Sequence, residues 1–230
     1  MDELSVELFP GLGYDCNIYL LGGEVLVDAG TGHNFSNLLH WLKERTDPLD
    51  IHTLILTHRH YDHTGGAEDV ILETGCTAYI HELDAAPLLT GDSVTTGARS
   101  FKGEQQPIDV ITFEEGHEFR IGDNRFEVIH TPGHTIGSIS LFDRDQGILF
   151  PGDVLFVNGG VGRWDLATGS HADLARSIDR LAELDVRDLY PGHDVPVMGN
   201  GKEHVQLAQE SMRESPFELM MRRLKLLKTD

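Results

Sequence analysis

Lysine is scarce in this 230-residue chain: there are five, and the 18 basic side chains together face 38 acidic ones, for a formal charge of −20. A surface that acidic repels polyanions, which excludes nucleic acid and anionic membranes as general partners. Cysteine is scarcer still. Cys16 and Cys76 are too few for a disulfide framework and lack the Cys-x-x-Cys spacing of a metal knuckle, so they read as small buried apolar residues. No apolar run approaches the roughly 18 residues a membrane helix requires. The acidic start Met1-Asp2-Glu3-Leu4 carries no signal-type stretch. These absences lead to the expectation of a cytoplasmic protein without membrane contact.

What the chain does have is histidine, 13 in all, unevenly placed. The run Thr57-His58-Arg59-His60-Tyr61-Asp62-His63-Thr64-Gly65-Gly66 puts three imidazoles and a carboxylate in one turn. It directly follows Thr53-Leu54-Ile55-Leu56, which reads as a buried strand, and Gly65-Gly66 opens a helical pattern through Ala67, Val70 and Ile71. Imidazole and carboxylate are ordinary ligands of zinc, and imidazole also of iron and copper. So short a loop cannot wrap one ion with all four groups. His58 and His60 can converge on one metal, while Asp62 and His63 point elsewhere and reach a second. The remaining ligands must come from other strand ends, and three candidates have that placement. His134 follows Phe126-Glu127-Val128-Ile129, Asp153 follows Gly147-Ile148-Leu149-Phe150, and His193 follows Asp188-Leu189-Tyr190. Each is preceded by a Pro-Gly pair that turns the backbone at the strand's end.

With His58-x-His60-x-Asp62-His63 upstream and His134, Asp153 and His193 downstream, the chain resembles the metallo-β-lactamase superfamily over nearly its whole length. The resemblance implies an α+β fold, an αββα sandwich of two mixed sheets flanked by helices, with the metal site at one edge between the sheets. It implies that His58, His60 and His134 hold a first ion and Asp62, His63 and His193 a second, with Asp153 bridging the two. Two divalent cations are the implied cofactors, zinc first, with iron or manganese as alternatives. The implied chemistry is hydrolysis by a metal-bridging hydroxide, which Asp62, as the catalytic residue, also orients.

A carboxylate at 153, where metallo-β-lactamases proper often carry Cys, looks like the glyoxalase II, lactonase and phosphodiesterase branches. Gly152-Asp153-Val154-Leu155-Phe156 followed by Gly162-Arg163-Trp164-Asp165-Leu166 is similar to hydroxyacylglutathione hydrolases, that is, to glyoxalase II. This branch implies a small-molecule substrate, an anionic thioester, whose carboxylate Arg163 would bind at two points. The alternative for Arg163 is an ion pair with Asp165 or another acid. Persulfide dioxygenases share this ligand set around a single iron and stand as the rival chemistry. A lactonase or phosphodiesterase of the same fold, or a non-catalytic metalloprotein, is a further alternative.

The rest of the chain organises around these residues. Strands are expected at 5–9, 16–21 and 24–28, the last ending at Asp28, which reads as a carboxylate behind the ligands or in a turn. Phe35, Leu38, Leu39 and Leu42 form one helix stripe. His33, His40 and His52 read as surface or capping residues, and His81 as the cap of a short helix or a wall of the site. Residues 90–107 read as a long irregular connection, the kind that serves as a lid or binding loop. The segment from Thr135 to Phe142 alternates small polar with apolar residues, as in a half-buried strand. Ser170 with Asp173 marks a helix start. The hydrolase domain is expected over residues 1–201, with 202–230 as a helical extension packed on it. That extension is one helix over 202–214 and another beginning at Ser215-Pro216-Phe217-Glu218, whose apolar face with Arg222, Arg223, Lys225 and Lys228 suits packing, a homodimer contact, or a phosphate or carboxylate site.

Seven ligands exceed the three or four that one ion takes, so fully loaded protein should contain about two ions per chain by elemental analysis. A stoichiometry that stays near one under added zinc, iron or manganese would instead fit the mononuclear dioxygenase.

Overall fold

Strand after strand carries apolar side chains on both faces, which demands cover on both sides of each sheet. The computed structural model describes residues 4–213 and supplies that cover as four layers. The first sheet runs in the order β1 (Val6–Phe9), β2 (Ile18–Leu21), β3 (Val25–Val27), β4 (Thr53–Ile55), β5 (Thr77–His81) and β6 (Ile111–Phe113). Its first pairings are antiparallel and those from β3 to β6 parallel, so it is mixed. The second sheet is ordered β11 (Asp188–Pro191), β10 (Ile148–Gly152), β9 (Ile139–Asp143), β8 (Asn124–His130) and β7 (Glu118–Ile121). It too is mixed, with β10 and β11 parallel and the rest antiparallel.

The period of two decides which side chain enters which layer. Val25 and Val27 join Phe126, Val128, Ile148 and Phe150 in the core between the sheets. Leu26, one residue out of phase, turns to the opposite face and meets Leu38 and Leu42 of α1 (Phe35–Lys43) and Val70 of α3 (Ala67–Thr74). Ile129 and Leu149 do the same in the second sheet, against Leu174, Ile178 and Leu181 of α5 (His171–Leu181) and Val205 of α6 (Gly201–Arg213). This is the expected αββα sandwich. Helix α5 starts as expected, with Ser170 accepting from the Asp173 amide at 3.3 Å.

One expected element differs. The half-buried strand expected from Thr135 to Phe142 begins only at Ile139 and is buried at every position. Thr135 and Ser138 instead form a turn, in which the Thr135 amide donates to Ser138 Oγ at 2.9 Å. The small polar residues of the strand do not face water: Phe142 belongs to the core under α5, and Ser140 meets Thr131 Oγ1 at 3.1 Å. Alternation here marks two buried environments, because α5 and α6 roof the outer face. The terminal helix expected from Ser215 lies outside the described residues. Among the described residues, no helix is long and apolar enough to cross a membrane.

Phe126 is fully buried between the sheets, in edge contact with Phe150. Phe126→Ala should therefore cost about 3–5 kcal/mol in denaturant-induced unfolding. A loss below about 1 kcal/mol would mean that the two sheets do not share this core.

Candidate metal centre

Five strand ends deliver polar side chains to one edge of the sandwich. Strand β3 ends at Asp28, and β4 runs out through Thr57 to His58 and His60, where the short helix α2 (Tyr61–Thr64) carries Asp62 and His63. Strand β8 leads to His134, β10 to Asp153 and β11 to His193. The seven residues singled out in the sequence thus come together from both sheets, as two adjoining groups.

The first group is all imidazole. His60 Nδ1 lies 2.8 Å from His134 Nε2, which lies 3.2 Å from His58 Nε2. Burial, and then the neighbouring rings, push all three below the usual histidine range, His60 to about 3. They are neutral and present lone pairs to one point. Fixed tautomers keep those lone pairs free. His58 Nδ1 meets Thr57 Oγ1 at 3.0 Å, and His134 Nδ1 donates to the Arg163 carbonyl at 2.7 Å, leaving each Nε2 facing inward.

The second group mixes charge. His193 Nε2 lies 3.3 Å from Asp62 Oδ2, and His63 Nε2 lies 3.3 Å from Asp153 Oδ1. The other Asp153 oxygen is 3.5 Å from His193 Nε2 and 3.7 Å from His134 Nε2, so this carboxylate reaches both groups. Burial opposes ionisation here, but facing imidazoles hold Asp62 and Asp153 below the ordinary carboxylate range. Asp62 and Asp153 in turn raise His193 against the effect of burial. Behind His63, Asp28 Oδ2 accepts from Nδ1 at 2.8 Å while Oδ1 accepts from the Thr57 amide at 2.8 Å. Asp28 thus orients a ligand rather than joining the set, with its backbone at φ 63°, a left-handed value that aspartate tolerates.

A cation fits this donor set. Among the described residues, His63 Nε2 and Asp153 Oδ1 are the buried side-chain polar atoms without a hydrogen-bond partner. Gly192 leaves room there, since a Cβ would run into Asp153 Oδ1 and the His63 ring. With their Nδ1 atoms engaged elsewhere, His58 Nε2 and His134 Nε2 turn lone pairs towards each other at 3.2 Å, an arrangement that a shared positive centre makes favourable. Cys16 lies close to Asp28 and His63. Burial pushes its thiol up to about 12, so it stays protonated and remains a packing residue.

Sequence reasoning missed one residue, Asp84. Its carboxylate, fully buried on α4 (Glu82–Thr90), accepts from Arg59 Nε at 2.7 Å, the Arg59 amide at 3.0 Å, Thr135 Oγ1 at 2.6 Å and the Gly137 amide at 3.1 Å. Arg59 sits between His58 and His60, and Thr135 follows His134, so Asp84 ties together both loops of the first group. Pro87 inside α4 has no N–H for the Leu83 carbonyl, and Arg59 Nη2 donates to that carbonyl at 2.9 Å instead. An arginine between two buried ligands was the available signal, because a buried guanidinium requires an acid. His81 caps α4, accepting from the Leu83 amide at 3.3 Å, and takes no part in either group.

The groups open into a cavity of about 480 Å³. Its walls are mostly apolar, with Val94, Phe101, Phe156, Val161 and Leu166 beside polar Thr95 and Ser100. Val94, Ser100 and Phe101 belong to the irregular connection, which is therefore a wall of the site. Arg163 also reaches the cavity, but its guanidinium pairs with Asp165 at two points, 2.9 and 2.8 Å, while its backbone holds His134. The structure thus shows the ion-pair alternative for this side chain.

A model of the metallo-beta-lactamase superfamily matches residues 11–193. A probable metallo-hydrolase of Methanocaldococcus jannaschii is 38% identical over 191 residues, 80% of this chain and 89% of that protein. The acyl-coenzyme A thioesterase MBLAC2 of Homo sapiens is 31% identical over 220 residues, 81% of this chain and 76% of that protein. Among solved structures, the BLEG-1 B3 metallo-beta-lactamase has a TM-score of 0.73 at 30% identity, covering 93% of this chain and 99% of that one. TTHA1623 in a di-iron-bound form has a TM-score of 0.69 at 30% identity, covering 91% of this chain and 99% of that one.

Because Asp84 holds only the loops of the first group, Asp84→Asn should weaken the first ion about 10–100-fold in chelator-competition titrations while the second ion is unaffected. It should also cost about 3–5 kcal/mol of stability, since Arg59 is left buried beside a neutral amide. Equal weakening of both ions would reduce Asp84 to a general stabiliser.

Proposed function

Because the chain belongs to the metallo-β-lactamase superfamily, we propose that it is a metal-dependent hydrolase whose substrates are acyl thioesters, as in the glyoxalase II branch. The observation that carries this reading is the pair of ligand groups joined by Asp153 at the end of a largely apolar cavity. The similarity to a human acyl-coenzyme A thioesterase supports the choice of thioester.

His58, His60 and His134 would hold one ion and Asp62, His63 and His193 the other, with Asp153 shared between them. Zinc is proposed first for these imidazole-rich positions. Ions held there would supply an activated water and a Lewis acid for the carbonyl of the scissile bond. The chain's own residues do the rest. Asp62 lines the cavity and keeps its carboxylate ionised, so it can accept a hydrogen bond from the attacking water and aim its free lone pair. The apolar wall of Val94, Phe101 and Leu166 packs on the acyl group and excludes bulk water. Hydrolysis breaks the acyl carbon–sulfur bond. Water oxygen enters the carboxylate product, one water proton goes to the departing sulfur, and the other is released.

The test is turnover by metal-loaded enzyme on three substrate types: acyl thioesters, a β-lactam, and a persulfide with oxygen uptake monitored. Thioester hydrolysis should exceed β-lactam hydrolysis by at least about 100-fold in kcat/KM, a difference of about 2.7 kcal/mol in transition-state binding. Asp153→Ala should lose more activity than His193→Ala, because one carboxylate serves both groups and His193 only one. Oxygen consumption on the persulfide with no thioester turnover would overturn the reading.

A further inference from the structure

In so acidic a chain, nearly every cation is neutralised. Among the described residues, only Arg99, Lys102 and Arg120 lack a carboxylate ion-pair partner. Arg120 lies on the edge strand β7. The other two adjoin residues of the cavity wall in the chain. Arg99 is in the single helical turn Ala98–Phe101, and Lys102 is its C-cap. Ser100 and Phe101, the two residues between them, line the cavity wall. Both cations are exposed.

The element that carries them is built onto the metal centre. The Tyr61 amide, at the start of α2, donates to the Thr96 carbonyl at 2.9 Å, and the Phe101 ring lies 6.0 Å from the Tyr61 ring and 5.8 Å from Tyr14. A Cβ at Gly103 would run into the Tyr61 ring, so the chain must pass that close. Lys102 itself holds φ at 57°, a left-handed conformation that L side chains disfavour, next to the candidate site. The pair is thus held at a set position relative to Asp62 and His63 on α2. Arg163, the other cation at the cavity, is engaged by Asp165.

On the thioesterase reading, on which this inference rests, we propose that Arg99 and Lys102 form an anion subsite at the cavity mouth. It holds the phosphate or carboxylate of the substrate's thiol half while the acyl half lies at the metals. Two uncompensated positive charges on a chain of −20 supply the local attraction that the overall field denies to an anionic substrate. Both groups present donors to the oxygens, Arg99 at two points and Lys102 as a point charge.

The experiment compares metal-loaded wild type with the Arg99→Ala/Lys102→Ala double variant on three thioesters of one acyl group. These are the coenzyme A thioester with its phosphates, the glutathione thioester with its carboxylates, and the neutral N-acetylcysteamine thioester. KM should rise about tenfold for at least one anionic substrate, the size expected of two solvent-exposed ion pairs. The neutral thioester should be unchanged, and added salt should shrink the difference. The anionic substrate that responds identifies the anion. An equal loss on the neutral thioester would assign the turn a purely structural role and overturn the subsite. Calorimetric binding of desulfo-coenzyme A and of S-methylglutathione needs no turnover. If wild type hydrolyses no thioester, weaker binding of either by the variant still supports the subsite while the thioesterase reading fails. Equal binding of both probes by wild type and variant overturns the subsite whatever becomes of hydrolysis.

Discussion

Packing seven imidazoles and carboxylates at one edge of a sandwich is the constraint that the surrounding structure answers. Polar groups buried without partners are costly, and buried charges more so. The two groups resolve that cost differently. In the first, burial keeps His58, His60 and His134 neutral, so three lone pairs converge without charge. In the second, imidazoles hold the carboxylates of Asp62 and Asp153 below their ordinary range, so negative charge lies beside His63 and His193. A cation would meet neutral donors in one place and anionic donors in the other. Asp153 evens the contrast by lending an oxygen towards each.

Neither group would keep its geometry without anchors outside it. Asp28 closes the second group from behind, gripping His63 and the amide of Thr57 at once. Asp84 does the corresponding work for the first, from a helix whose internal proline leaves a carbonyl for Arg59. His193 is held from the first sheet: the Asn17 amide donates to the Gly192 carbonyl at 2.7 Å and Tyr19 OH to the Pro191 carbonyl at 2.6 Å. Each anchor joins elements distant in sequence, which is how two sheets meet with ligand atoms only ångströms apart.

The cavity shows why this ligand arrangement alone does not select a substrate. In the proposed reaction the ligand groups would serve the water and the carbonyl, whereas the walls would decide what reaches them. Val94 and Phe101 come from one long connection and Phe156, Val161 and Leu166 from another. Arg99 and Lys102 lie on the first of these connections, and the Arg163–Asp165 pair on the second. Metal chemistry and specificity are therefore built from separable parts of the fold.

Local pattern was enough to read much of this. The strands around the ligands lie where their aliphatic runs place them, α5 begins at its Ser170 cap, and each ligand follows a Pro-Gly turn or the β4 exit. Those features depend on neighbours within a few residues, where periodicity and turn chemistry act. The partners of charged groups were not legible. Arg163 had two readings from sequence, and only the fold shows Asp165 in its fork. The Arg59–Asp84 pair spans two loops and a helix, and the alternating segment before Asp143 read as half-exposed until α5 and α6 covered it. By itself the sequence determined which donors exist and which strand end carries each. Only the tertiary structure decided which nitrogen or oxygen faces which, because tautomers, ion pairs and pKa shifts follow from burial and from distances between residues far apart in the chain.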